Sequence, residues 1–350
     1  MFNQSLNRKN SYILLVNVVG LKTYIAKRVV YMLVLVFLVA TVNFILFNLM
    51  PATTLEKFVL QAGGKMTQDK LNELKATFGF NKPLHDRYFI YVSNMFTWNF
   101  GFSYETRNYV QSDIATALPN TLLLMGISEI GAMIVGILLG VIAAYKRGST
   151  LDTALVTASL ATYSVPVFWI GWLMLSIFSV NLGWFEVGRV EPINWSLSHP
   201  LARGAILEFI AGRLYMLVLP ATTLFIFIFG GWILLTRATV LETITEDYVT
   251  TARAKGLPER TVLLKHVLKN ASLPLITSAA LTFGFLISGA IITETVFSYG
   301  GMGLLIWKAI SSTDVPVMQA FFYVIGLLVI VANFVADLLY GVIDPRIKYG

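Results

Sequence analysis

The chain has 350 residues, of which 56% are hydrophobic and only 13% charged, and its mean hydropathy is +0.72. A core of this size cannot hide so much apolar surface, so a disordered chain, an ordinary soluble enzyme and a disulfide scaffold are excluded, and lipid is the expected surrounding. The net charge is +7 and cysteine is absent, which removes thiol, disulfide and Cys–metal chemistry and makes the placement of Lys and Arg the informative quantity.

In chain order, residues 1–26 form an N-terminal segment. Its apolar run Tyr12–Val19 is too short to span and is broken by Asn17. No small-residue cleavage site precedes Lys22, Lys27 and Arg28, so the first span is expected to act as the targeting element. That span is residues 27–50. Residues 51–119 are expected to be an extracytoplasmic segment with a small helical cap. Thr67 caps a helix there whose apolar face is Leu71, Leu74 and Phe78, Gly79 closes it, and Tyr88, Phe89, Tyr91, Phe96 and Trp98 follow. Residues 120–342 hold five more apolar stretches: Asn120–Ala144, Thr153–Asn181, Leu214–Thr236, Leu275–Phe297 and Gln319–Val342. Each is long enough for a ~30 Å hydrocarbon layer, which takes about 20 residues. Residues 343–350 are a tail. The expected fold class is thus an all-α membrane protein with six transmembrane helices.

Lys and Arg set the orientation. With the N-terminus inside, 15 of the 26 cations lie inside, and the short outer loops keep only Arg189, Arg203, Arg213 and Lys308. The rest sit in the long outer segment, which largely escapes the charge rule. Both termini are therefore expected in the cytoplasm, in the cytoplasmic (inner) membrane of the cell.

The inner loop at residues 237–274 carries the most information. Thr243 and Glu246 have capping-box spacing, and the helix they open is expected to run to Lys255. Arg253 and Lys255 suit its last turn, Gly256 supplies a left-handed stop, and Pro258 starts a second helix. Leu264, Val267 and Leu268 give that helix an i, i+3, i+4 stripe until Pro274. The plain alternative is a structured loop packing on its own bundle.

The stretch Thr250-Thr251-Ala252-Arg253-Ala254-Lys255-Gly256 resembles the EAA loop of ATP-binding-cassette importer permeases. YVTTARAKGL is similar to the oligopeptide/dipeptide permease subfamily in particular. The likeness extends to YIAKRVVYMLVLVFLVATVNFILFNLMP, FGFNKPLHDRY, NFGFS, ETVFSYGGMGLLIWKAI and the ending VADLLYGVIDPRIKYG. Thr250 stands where the wider superfamily has Glu, and His266 to Lys269 stand where it has Ile-x-Leu-Pro. The resemblance implies a type I importer fold and a binding-protein-dependent inner-membrane component with a cytoplasmic coupling-helix loop. It implies Tyr248, Thr251, Ala252, Arg253, Ala254, Lys255, Gly256, Leu257 and Arg260 as the surface that docks an ATPase. It implies as partners a second homologous permease, two cytoplasmic ATPase subunits and an extracytoplasmic solute-binding protein, with no nucleic acid. The cargo implied is di- or oligopeptides first and oligosaccharides second, moved by alternating access.

The chain carries no phosphate-cradling loop of its own. Its nearest text, Gly63-Gly64-Lys65-Met66, has Val59 in place of the first glycine and no hydroxyl after Lys65. It is expected to bind no cofactor, ATP and Mg2+ belonging to the partner subunits, and to perform no covalent chemistry. His85, His199 and His266 are too far apart in sequence to suggest a metal or catalytic group. Glu129, Glu294 and Asp337 are ionisable residues within spans, and Pro166 is a kink in the third. These four are candidates for the translocation path; the plain reading makes the acids hydrogen-bond partners of neighbouring helices. Two other function classes compete: a proton-coupled secondary transporter using Glu129 or Asp337, and an intramembrane enzyme, for which the spans offer no paired catalytic residues. Gly136-x-x-x-Gly140 permits close helix packing.

Overall fold

A computed structural model describes residues 25–47, 69, 82–103, 105–196, 200–285 and 290–343. The N-terminal segment, the Thr67–Gly79 helix, the Gly63–Met66 stretch, His199 and the C-terminal tail lie outside them. The described residues fold into helices, with one isolated bridge between Phe102 and Tyr109.

The helices are α1 (Ile25–Phe47), α2 (Leu84–Phe96), α3 (Val110–Tyr145), α4 (Thr150–Ser164) and α5 (Val167–Met174), the last running on as a π-helical turn, Leu175–Asn181. Next come α6 (Ile206–Thr243), α7 (Asp247–Ala254), α8 (Glu259–Thr261) and a π-helical stretch, Val262–Val267. The chain continues as α9 (Leu268–Phe285), α10 (Ile291–Val296), α11 (Met302–Ser312) and α12 (Val315–Ile343).

Among the described residues, four helices are long and apolar enough to cross a membrane: α1, α3, α6 and α12 over Val315–Val335. A fifth span exists if α4 and the helix after it count as one, bent by 94°. Of the expected span Leu275–Phe297, residues 275–285 belong to α9 and residues 291–296 to α10, and residues 286–289 lie outside the described ones. Among the described residues the count is therefore four or five, and the sixth span expected from the sequence runs through residues outside them. The kink expected at Pro166 is a break: Val165 and Pro166 are extended, and Pro166 starts a new helix.

Two helices outrun their apolar stretches. Helix α3 begins at Val110, inside the segment expected to be external, and passes through Pro119. Helix α6 continues to Thr243 and so absorbs the start of the expected loop. Likewise Pro274 does not end a helix but lies within α9, so the loop and the next apolar stretch are joined.

Helices α3 and α6 run parallel and in close contact. A Cβ at Gly140 would lie 2.6 Å from Thr236 Cβ and 2.8 Å from the Ile233 carbonyl oxygen. At Gly136 it would lie 3.1 Å from the Phe229 carbonyl oxygen and collide with Trp232. In lipid, helices gain little from hiding apolar side chains, so such backbone approach supplies the packing that holds them. On α1, Val30, Leu33, Val34, Phe37 and Leu38 are each about half exposed, as a lipid-facing helix requires.

A second core joins α1 to the C-terminal half. Val36, Ala40 and Phe44 of α1 meet Tyr91 and Met95 of α2 and Phe321 and Val324 of α12. Asn43 donates through Nδ2 to the Gln319 carbonyl at 2.8 Å, and Phe44 meets Tyr88 edge-on at 5.2 Å. Of the aromatics expected to build a folded segment after the first span, Tyr88 and Tyr91 pack into this core from α2, while Phe89, Phe96 and Trp98 are exposed. Asp314 closes this core at the start of α12. Its Oδ2 accepts from Ser103 Oγ at 2.6 Å and from the Glu105 amide at 3.3 Å, and it is fully buried.

Candidate functional site

The loop between α6 and α9 is built locally. The expected capping box does not form. Thr243 is the last residue of α6, and its hydroxyl donates back to the Thr239 carbonyl at 2.8 Å, the usual alternative for a threonine inside a helix. Glu246 is the N-cap of α7 through its backbone, without a side-chain cap. Asp247 in the first turn and Arg253 in the last complement the helix dipole.

Gly256 then turns the chain. Its φ is +74°, and its amide donates to the Arg253 carbonyl at 2.9 Å. This is the left-handed stop read from the sequence. Pro258 caps α8, its carbonyl accepting the amides of Thr261 at 2.8 Å and Val262 at 3.1 Å. Across the turn, Arg253 grips Glu259 with two bonds, Nη2–Oε1 at 2.7 Å and Nε–Oε2 at 3.3 Å. These bonds hold the Glu259 carboxyl below its ordinary range and raise Arg253. Both side chains are well exposed, so the pair adds little stability.

The second helix turns a different face inward from the one its spacing suggested. Val262, Val267 and Ala271 are buried, while Leu264 is exposed. The cause is the π-helical stretch: with i→i+5 bonding, residues five apart share a face, and the three-and-four stripe slips. Val249 and Ala252 of α7 join these residues, together with Ala144 of α3 and Val240 of α6. Ala252 thus packs inside the chain's own bundle, where the resemblance implied a place on the docking surface. Tyr248, Thr251, Arg253, Ala254, Lys255, Gly256, Leu257 and Arg260 all lie exposed. These eight lie within one short stretch, Tyr248–Arg260, and include three cations and the partly apolar Tyr248 and Leu257.

The four path candidates lie on separate elements. Glu129 is 1% exposed in α3 and accepts from Trp232 Nε1 of α6 at 2.9 Å. Glu294 of α10 is fully buried. Its Oε1 accepts from Thr121 Oγ1 at 2.5 Å, and its Oε2 accepts from the Leu304 amide at 3.1 Å. The Thr121 hydroxyl in turn accepts the Met302 amide at 2.8 Å. Glu294 therefore caps the first turn of α11 from a neighbouring helix. Pro166 sits exposed at the break. Asp337 lies in α12.

Two polar ties escaped the sequence reading. Asn120 of α3 donates to the Gly300 carbonyl at 2.6 Å and accepts from Arg213 of α6, which also donates to the Val190 carbonyl at 3.2 Å. At the other end, Arg237 of α6 holds Asp152 of α4 with Nε–Oδ1 at 2.6 Å and Nη2–Oδ2 at 2.9 Å. The Asp152 carboxylate also accepts the Gly148 amide at 2.9 Å, while Ser149 Oγ accepts the Asp152 amide at 3.3 Å. A signal for this site was present: Ser149-x-x-Asp152 has the capping spacing, just before an apolar run.

A bundle of apolar helices glued by glycine contacts and buried polar ties, with one polar loop at an end, is the architecture of a helical membrane protein. The chain belongs to the family described as the binding-protein-dependent transport system inner membrane component, which it matches over residues 136–349, and that family's N-terminal region matches residues 21–125. It is 38% identical to a di/tripeptide transport system permease protein, DppB, of Pseudomonas aeruginosa, over 93% of this chain and 99% of that one. It is 35% identical to an oligopeptide transport system permease protein, AppB, of Bacillus subtilis, over 87% of this chain and 93% of that one. Among solved structures, the inward-facing MetNI methionine ABC transporter is similar with a TM-score of 0.49 and 17% identity, covering 66% of this chain and 96% of that one.

Proposed function

We infer that this chain is the membrane-spanning subunit of an ATP-driven importer that carries di- or oligopeptides, with oligosaccharides as the second cargo class. The observation that carries this reading is the exposure around Gly256 on a member of this family: eight of the nine residues implied to dock an ATPase are exposed. The peptide permease relatives support the cargo class. In this reading the loop end faces the cytoplasm with both termini. Two ATPase subunits, which hold ATP and Mg2+, seat against Tyr248, Leu257 and the cations Arg253, Lys255 and Arg260. A second, homologous permease completes the path, and an extracytoplasmic binding protein delivers cargo. Alternating access opens the path to either side as the ATPases close and part. The chain itself does no covalent chemistry.

The test is reconstitution into vesicles with the partner permease, the ATPases and the binding protein. Uptake of a labelled tripeptide is expected to require ATP and every partner. Uptake by this chain alone, driven by a pH gradient, would replace this reading with proton coupling through Glu129 or Asp337.

A further inference from the structure

The loop is welded to only part of the bundle. Its buried residues pack with Ala144 of α3 and Val240 of α6, and α4 contributes nothing to that cluster. Any push on the loop therefore reaches α3 and α6 directly, and reaches the broken span α4–α5 at second hand, through the contacts of α4 and α5 with α6 and of α4 with α3.

The contacts between α4 and α6 form a short antiparallel ladder. Tyr163 stacks on Phe227 with ring centroids 6.1 Å apart and planes 11° from parallel. Gly230 lies under Ser159, where a Cβ would come within 2.7 Å of the Ser159 carbonyl oxygen. Asp152 and Arg237 close the ladder at the loop end. The first two contacts are apolar or backbone surfaces, which can slide. The third is a fork, two nearly parallel charge-assisted bonds, and such a pair fixes direction as well as distance. It is well placed to hold: the Asp152 side chain is 6% exposed and the Arg237 side chain 26%. The same carboxylate also binds the Gly148 amide, so one group ties α6, the start of α4 and the turn before it.

We propose that Asp152 and Arg237 are the positioning pair that carries displacement of the Gly256 loop to the broken span. Neither touches cargo or nucleotide; they act through α4, and the inference rests on the importer reading above. The lever they drive is short. From Asp152 to the Pro166 break there are about 14 residues, roughly 21 Å of helix. A shift imposed at Asp152 therefore arrives at the break with α4 still rigid. Beyond the break, α5 packs on α6 and α10, where a Cβ at Gly171 would meet Phe297, Val296 and Thr223 at 3.2 to 3.5 Å.

The experiment uses the full complex in vesicles and measures ATP hydrolysed per labelled tripeptide taken up, together with recovery of the ATPase subunits. Two variants are used. Arg237→Lys keeps the charge and loses the fork; Asp152→Asn keeps the shape and loses the charge. Both are expected to retain ATPase recovery while the ATP-to-peptide ratio rises about five-fold or more, the low end of ordinary coupling between sites. A merely structural role would instead lower yield and ATPase recovery together and leave the ratio of surviving complexes unchanged, and that result overturns the proposal. Should Asp152→Asn fail to accumulate, Arg237→Lys alone decides by the same ratio. If the wild-type complex shows no ATP-dependent uptake, the importer reading falls and takes this inference with it. ATP-coupled wild type with normal ratios in both variants sinks only the inference.

Discussion

Gly256→Val separates backbone strain from every other effect at the loop. Gly256 has φ +74°, and a Cβ built there finds no atom within 4 Å. Steric collision with neighbours is therefore absent, and the whole cost is conformational. A left-handed residue other than glycine costs roughly 1–2 kcal/mol, and a β-branched one belongs at the upper end. One to two kcal/mol lowers the population of the native turn by a factor of about 5–30. The Arg253–Glu259 fork cannot offset this, because both side chains are exposed and such pairs are worth about 0–1 kcal/mol. Gly256→Val is expected to leave membrane insertion intact while weakening ATPase recovery and uptake in matched membranes. Gly256→Asn, whose side chain tolerates this conformation, is expected to keep most of both. Lys255→Ala removes one exposed charge and is expected to do much less than Val. If Asn proves as damaging as Val, the loss comes from occupying the surface and not from the turn, and the reasoning fails. If both variants are harmless, the loop is scaffold only.

Gly140→Ala should destabilise the bundle by about 1–3 kcal/mol, the usual cost of overpacking, since its Cβ would meet Thr236 and the Ile233 carbonyl; the melting temperature in detergent reports it. Gly126→Ala, on the same helix with open space around it, is the control and should be neutral or slightly stabilising. Burial holds the Asp314 carboxyl above its ordinary range, against the lowering effect of the Ser103 bond and backbone amides. Its charged form therefore costs stability, and that cost is relieved as pH falls through the raised folded value. The protein should melt higher in mild acid than at neutral pH by an increment that Asp314→Asn flattens and Ser103→Ala enlarges; a wild type and Asp314→Asn with parallel pH profiles would refute this. A single cysteine at Lys255, convenient because the chain has none, should react with an impermeant maleimide only from the cytoplasmic side; labelling in intact cells would reverse the topology.

The sequence makes the apolar helices legible because lipid demands unbroken hydropathy, which is a local property. It does not mark where they stop. Helices α3 and α6 continue past the apolar stretch, since an α-helix already satisfies its own backbone and needs a breaker to end; Thr243 and Pro274 are weaker breakers than their types suggest. The turn at Gly256 was legible because only glycine adopts that φ freely. The face of the following helix was not, because one π-helical stretch shifts the register without any residue announcing it. Among the acids, Glu294 stood out as an intramembrane charge, but its partner Thr121 is 173 positions away and carries no local sign of the pairing. Asp152 and Arg237, 85 positions apart, escaped the reading because the capping spacing of Ser149-x-x-Asp152 is a local signal and says nothing of a distant partner.

The length of α6 bears on what its partners must cross. From Arg213 to Arg237 the helix climbs about 36 Å, enough to traverse a hydrocarbon layer of ~30 Å with a charged residue near each surface. Six further residues, roughly 9 Å, carry it to Thr243, about the depth of a headgroup layer on one side. The proposed docking surface thus follows a stalk that shares its backbone with the span. A subunit arriving from solution would meet Arg253, Lys255 and Arg260 exposed on the Gly256 loop. Its attachment should depend on the salt of the surrounding water, which screens Arg253, Lys255 and Arg260, and hardly at all on the share of anionic lipid beneath.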